Sequence, residues 1–181
     1  MRYFFKHCLM LAVMLTAAGA LFAQTKSKKI LVIGVDGIIN TAIDYAATPG
    51  IGAIRSNGSY SMSGYAGVPA YSSAGWSTLL TGVSADKHGV SQNGTYSGNN
   101  FAQYPSVVSR LKSAINSLVV ASVVHTEEVN NLLNLAADHK FQFNSDDEVY
   151  SKSVELLRQD NMGAVFVQFS SPAEVGNQLG Y

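Results

Sequence analysis

The run Ile30-Leu31-Val32-Ile33-Gly34-Val35 constrains the fold of this chain most. It contains no polar side chain, is rich in β-branched residues, and ends at Asp36-Gly37. β-Branched side chains have restricted rotamers and pack well on a pleated surface, so the run predicts a strand. A strand that is apolar throughout, rather than at alternate positions, is buried on both faces, as in a parallel sheet covered by helices. Leu118–Val124 and Ala164–Phe169 repeat the pattern. Between the runs lie helical signals. Thr48 and Pro49 open a helix as N-cap and first-turn proline, Ile51 and Ile54 give it a small apolar face, and Asn57-Gly58 closes it. Pro105 opens a second helix with Val108, Leu111 and Ile115 on one face; Glu127–Ala137 and Asp146–Gln159 read as two more. Ser59–Tyr65 reads as a further strand, and Thr95–Tyr104 as loop. Strands alternating with helices predict an α/β layered fold around a mainly parallel sheet.

The 181 residues suit one compact domain, or part of a larger one. Residues 1–23 read as a secretory signal peptide. Arg2 and Lys6 form its positive start, Cys8–Ala17 its short apolar core, and Ala18-Gly19-Ala20 or Ala23 its cleavage region. Residues 24–29 are a polar linker and 30–181 the domain. The expected destination is outside the cytoplasm, periplasmic or extracellular. Cys8 is the only cysteine and leaves with the leader, which excludes disulfides, cysteine-bound zinc and a cysteine nucleophile from the mature chain. The formal net charge is zero, so no cationic face is expected to bind a nucleic-acid duplex. No second long apolar run predicts a membrane span.

Chemistry concentrates where the predicted strands end, the place where α/β sheets gather reactive groups. Asp36 ends the first strand, His125-Thr126 the second and Ser170-Ser171 the third. Ser72 opens a short helix that Thr81-Gly82 closes, with His88-Gly89 and Asn93 following. Free N–H groups and the dipole at a helix start favour a phosphate. A phosphate ester repels nucleophiles through its anionic oxygens, and a divalent cation relieves that repulsion and activates a bound hydroxyl. Such a site needs oxygen and imidazole ligands and a neutral donor for a non-bridging oxygen. Asp36 suits a ligand, Ser72 a nucleophile and Asn93 the donor. Plainer roles also fit: a strand-end turn for Asp36, a helix cap for Ser72, and a turn for Asn93-Gly94.

Taken together, Ile33-Gly34-Val35-Asp36-Gly37, the segment from Thr48-Pro49 to Asn57-Gly58-Ser59-Tyr60, and the block from Ser72 through Thr81-Gly82 to His88-Gly89 and Asn93 resemble the type I phosphodiesterase and nucleotide pyrophosphatase branch of the alkaline phosphatase superfamily. The resemblance is closest to secreted bacterial members with a serine nucleophile. It implies an alkaline-phosphatase-like layered fold and two divalent metals, typically zinc. It further implies a phosphate-ester or nucleotide-like substrate cleaved through a Ser72 phosphoryl intermediate. Ser72 would be nucleophile and metal ligand, Asp36 a metal ligand, and Asn93 a phosphate donor. His88 would be a structural turn histidine and Trp76 a packing residue, with Ser73 as the fallback nucleophile.

The family's next metal motif, Pro-Asp-x-x-Gly-His-x-x-Gly, meets Pro172-Ala173-Glu174-Val175-Gly176-Asn177-Gln178-Leu179-Gly180 here. Ala173 replaces the aspartate and Asn177 the histidine. Glu174, one position on and read as lying on an irregular loop, is the available substitute. Family members continue beyond this point with further ligands. The expectation is therefore an N-terminal portion of such a domain, inactive or nearly so as given, whose open sheet edge favours self-association. The competing expectation is a non-catalytic secreted binding protein, or a remnant, on the same fold.

Overall fold

A computed structural model describes residues 28–64, 67–68 and 70–180. The proposed signal peptide and most of the linker lie outside the described residues. The core is a four-stranded, all-parallel sheet in the order β1-β4-β2-β3, made of β1 (Ile30–Val35), β2 (Val119–Val124), β3 (His139–Gln142) and β4 (Met162–Phe169). Strands alternate with helices as the apolar runs predict, so the chain has an α/β fold. Four named helices lie between β1 and β2: α1 (Asn40–Tyr45), α2 (Pro49–Asn57), α3 (Ser72–Thr81) and the single turn α4 (Ala85–His88). A fifth, α5 (Val107–Ala114), leads into β2. Helix α6 (Asp146–Leu157) joins β3 to β4, and α7 (Ser171–Leu179) follows β4 directly.

Strand pleating divides the core into two layers. One face presents Val120, Val124, Ala164 and Phe166 to Trp76 and Leu80 of α3, Val108 of α5 and Val129. The other presents Ala121, Val123, Val165 and Val167 to Val149 and Leu156 of α6. Lys29 ties β1 to the sheet's far layer: its ammonium donates to the carbonyls of Leu157 and Gln159 where α6 ends, where the helix dipole favours a cation.

Four expectations are corrected. β1 is an edge strand, with Ile30, Leu31 and Ile33 each more than two-fifths exposed, so its apolar run is not buried on both faces. Ser59–Gly64 forms no strand, and Tyr65 lies outside the described residues. The helix expected over Glu127–Ala137 contracts to one turn whose main part, Val129–Leu133, is π-helical, and β3 follows it. The backbone has to turn into β3 there, and Asn134 is drawn back to the sheet by its side-chain bond to Ser122 Oγ at 2.8 Å. Finally, Ile115 and Ile54 are exposed, so the apolar faces proposed for α5 and α2 are narrower than their spacing suggested.

Candidate active site

The carboxyl end of β1 and the start of α3 enclose a cleft of about 560 Å³. Its lining includes Asp36, Tyr71, Ser72, Trp76, Asn93, Ala173 and Asn177. Two glycines make it possible. A Cβ at Gly34 would stand 2.0 Å from Cη2 of Trp76, so the indole can lie on the strand only over a glycine. Gly37 turns the chain at φ +76°, and a Cβ there would stand 2.5 Å from the Cα of Ala173, so α7 packs directly on this turn.

Asp36 continues the β1 ladder, its N–H donating to the Phe169 carbonyl at 2.9 Å. Its carboxylate collects three neutral donors. Trp76 Nε1 donates to Oδ1 at 2.8 Å, while Ser72 Oγ and Gln168 Nε2 donate to Oδ2 at 3.1 and 3.0 Å. Ser72 is the first residue of α3, the extended residue before the helix is Tyr71, and no side chain caps the helix start. The Ser72 hydroxyl therefore serves Asp36 rather than the helix, and the helix-cap role does not apply.

Ser73 points the other way. It is buried, its Oγ accepts from the Gly94 N–H at 2.9 Å, and it lies 3.4 Å from Asn93 Oδ1. Asn93-Gly94 is indeed a tight turn, closing the Gln92–Thr95 bridge with Gly94 at φ +67°. That turn also sets Asn93 on the cleft, with its carbonyl oxygen toward Ser73. The fallback nucleophile is thus the tether that places Asn93.

His88 takes no part in the cleft. It is fully buried, its Nδ1 accepts from the Val90 N–H at 3.1 Å, and its Nε2 lies 3.0 Å from Thr78 Oγ1. That pattern makes Nε2 the protonated nitrogen of a neutral ring. Burial pushes its pKa below the ordinary value, with the Asp86 charge opposing. Trp76 packs as expected, and its bond to Asp36 adds a role that packing alone did not suggest.

The opposite wall is α7, a regular helix rather than the expected irregular loop. It turns Ala173 and Asn177 toward the cleft, whereas Glu174 lies 3.0 Å from His125 Nε2. The other ring nitrogen of His125 faces Asp146 Oδ1 at 3.3 Å. Asp146 also accepts the N–H groups of Ser170 and Ser171, at 3.0 and 2.9 Å, and so caps α7 from another helix. Burial opposes ionisation of Asp146, but those N–H donors and His125 outweigh it and hold its pKa below the usual carboxylate value. Glu174 is therefore not a substitute ligand beside Asp36.

This donor set does not fit a pair of divalent metals. A catalytic zinc takes about three protein ligands. Asp36 and Ser72 supply oxygen, Asn177 a weak amide and Ala173 nothing. Among the described residues no group of three or more His, Cys, Asp or Glu is arranged to hold a metal ion. None of their helices is long and apolar enough to cross a membrane.

Comparisons with curated proteins and with solved structures returned no match. The family model described as type I phosphodiesterase / nucleotide pyrophosphatase matches residues 30–124. The match runs from β1 to the end of β2, takes in Asp36, Ser72 and Asn93, and covers more than half of the chain. The chain therefore belongs to the type I phosphodiesterase/nucleotide pyrophosphatase family.

Proposed function

We propose that the cleft is the phosphoester site of this hydrolase family. In that reading Ser72 stands at the attacking position, Asp36 is a cation-facing carboxylate, and Asn93 donates to a non-bridging phosphate oxygen. The substrate would be a small phosphodiester or a nucleotide-like pyrophosphate. The observation that carries the reading is the 3.1 Å contact of Ser72 with Asp36 at the start of a ten-residue helix, facing open space. A helix start and a hydroxyl suit a phosphate group, while Asp36 alone repels one. Cleavage through a Ser72 phosphoryl intermediate, with zinc or another divalent metal, is the reaction that family resemblance implies. With Ala173 and Asn177 on the facing wall, this chain is expected to turn over slowly or not at all.

Hydrolysis of bis(4-nitrophenyl) phosphate by the full chain with added zinc should not exceed that of Ser72→Ala. A zinc-stimulated rate lost in Ser72→Ala would overturn the inactivity. The cation-facing role of Asp36 is checked separately with zinc chloride alone. Trp76 is the only tryptophan, so its emission should change saturably in the wild type and not in Asp36→Asn.

A second reading, a non-catalytic binding protein, draws on the electrostatics of the cleft. Asp36 is the only charged side chain among the described residues that line it. Without a bound cation the cleft should disfavour an anion, and a neutral ligand such as a glycan suits it. Thermal stabilisation by that ligand would survive a chelator, and phosphate would give none. The proposal includes export, checked by sequencing the N-terminus of the secreted chain. It also includes self-association along the outer edge of β1, checked by sedimentation over a range of concentrations.

A further inference from the structure

Gln168 is the fully buried polar residue nearest the cleft's carboxylate, and every polar end of its side chain is engaged. It lies on β4 in register with Gly34 of β1, on the sheet face that carries Trp76. Its Nε2 donates to Asp36 Oδ2 and to Thr126 Oγ1, both at 3.0 Å, and its Oε1 accepts the Thr126 N–H at 2.9 Å. Two bonds therefore lock the amide to the end of β2, and the remaining N–H is aimed at Asp36.

We infer that Gln168 is the positioning residue of this site: braced by Thr126, it holds the Asp36 carboxylate against Ser72 and Trp76. The chemistry of the donor matters. A lysine or arginine in its place would orient Asp36 but neutralise it. An amide orients it and leaves the full negative charge facing the cleft. A carboxylate offers about four acceptor positions, and three are filled here, so one stays open for a cation or a substrate proton. An amide beside a carboxylate in a half-buried site also avoids the repulsion that a second acid would bring. This role rests on the proposed function only in what Asp36 then does; the positioning itself is a property of the free protein.

The test uses the single indole N–H, which donates to Asp36 Oδ1 on the side away from Gln168. In ¹H–¹⁵N spectra of the unliganded full chain, Gln168→Met should shift that resonance and speed its solvent exchange at least about tenfold, because a released carboxylate turns away. Thr126→Val, which removes the hydroxyl half of the brace and keeps the backbone N–H bond to Oε1, should move it the same way by a smaller factor and serves should Gln168→Met not fold. Leu156→Ala, a destabilising change in the core layer on the opposite face of the sheet from Trp76, should leave the indole exchange of the folded protein unaltered. An unchanged indole in folded Gln168→Met, or in Thr126→Val where the first variant does not fold, overturns the inference, as does an equal effect from Leu156→Ala. Failure of zinc to perturb wild-type Trp76 would instead count against the cation-facing role of Asp36 and leave this result standing.

Discussion

The two walls of the cleft are built by opposite means. On the β1–α3 wall, the polar groups at the cleft are bonded to one another: Asp36 takes donors from Ser72, Trp76 and Gln168, and Asn93 is tethered through Ser73. On the α7 wall the polar groups serve the helix. Asp146 caps it and Glu174 pairs with His125, while the residues left facing the cleft are Ala173 and Asn177. The family match covers the first wall and ends at residue 124, before the second. The two walls thus offer the cleft different side chains: a hydrogen-bonded carboxylate, hydroxyl and amide on one, an alanine and an amide on the other.

The largest effect is expected where the walls touch. Gly37→Ala puts a Cβ 2.5 Å from Ala173 Cα and 2.6 Å from its nitrogen, at a left-handed φ of +76°. Strain of about 1–2 kcal/mol and backbone overlap that only a shift of α7 can relieve together should cost about 3 kcal/mol. Gly52→Ala is the counter-case. It lies inside α2 with nothing within 4 Å, and should raise stability by about 0.5–1 kcal/mol. Urea unfolding measures both. Equal effects would mean that the Gly37 contact does not join the walls.

The asymmetry can also be reversed. Ala173→Asp with Asn177→His places an acid and an imidazole on the cleft side of α7, one turn apart. Zinc binding followed by Trp76 emission should tighten at least about tenfold, equivalent to about 1.4 kcal/mol. Unchanged affinity would show that side-chain identity at these two positions is not what separates the walls.

The β1–α3 wall was the legible one. Asp36, Ser72 and Asn93 follow each other in order along strand, helix and turn, so local signals placed them. The rest depends on contacts that spacing does not reveal. Gln168 and Asp36 are 132 positions apart. The one clue was a lone amide inside the apolar run Val165-Phe166-Val167-Gln168-Phe169, where a buried polar group must find partners. β1 was misjudged because an apolar run records what a strand can bury, not whether a neighbour covers it. β3 was missed because its residues, His139-Lys140-Phe141-Gln142, are mostly exposed and carry no apolar pattern. Glu174 could not be oriented until α7 was known to be a helix.

Asp146 gives the α7 wall its own pH dependence. Its folded pKa lies below its unfolded value, so its contribution is fully present above the unfolded value, near 3.9. It is lost as pH falls through the folded pKa. Asp146→Asn should cost about 1 kcal/mol at neutral pH, the scale of a lost charge-assisted cap. The variant should also lose less stability than the wild type on acidification to below pH 4. His88 acts earlier. Its folded pKa is depressed by burial, so its penalty starts as pH falls below the ordinary value of 6.5. Unfolding curves from neutral to acid pH should therefore show two steps, the first absent in His88→Gln.

Glu174→Gln should have the smallest effect, and its smallness is informative. The Glu174 side chain is about half exposed, its contact with His125 is screened by solvent, and Asp146 remains on the other ring nitrogen. A stability change below about 0.5 kcal/mol is expected, shrinking further at high salt. Zinc titration of Trp76 should be unaltered, because Glu174 faces His125 rather than Asp36. A loss of zinc response would place Glu174 on the cleft, give α7 a working carboxylate, and remove the contrast between the two walls.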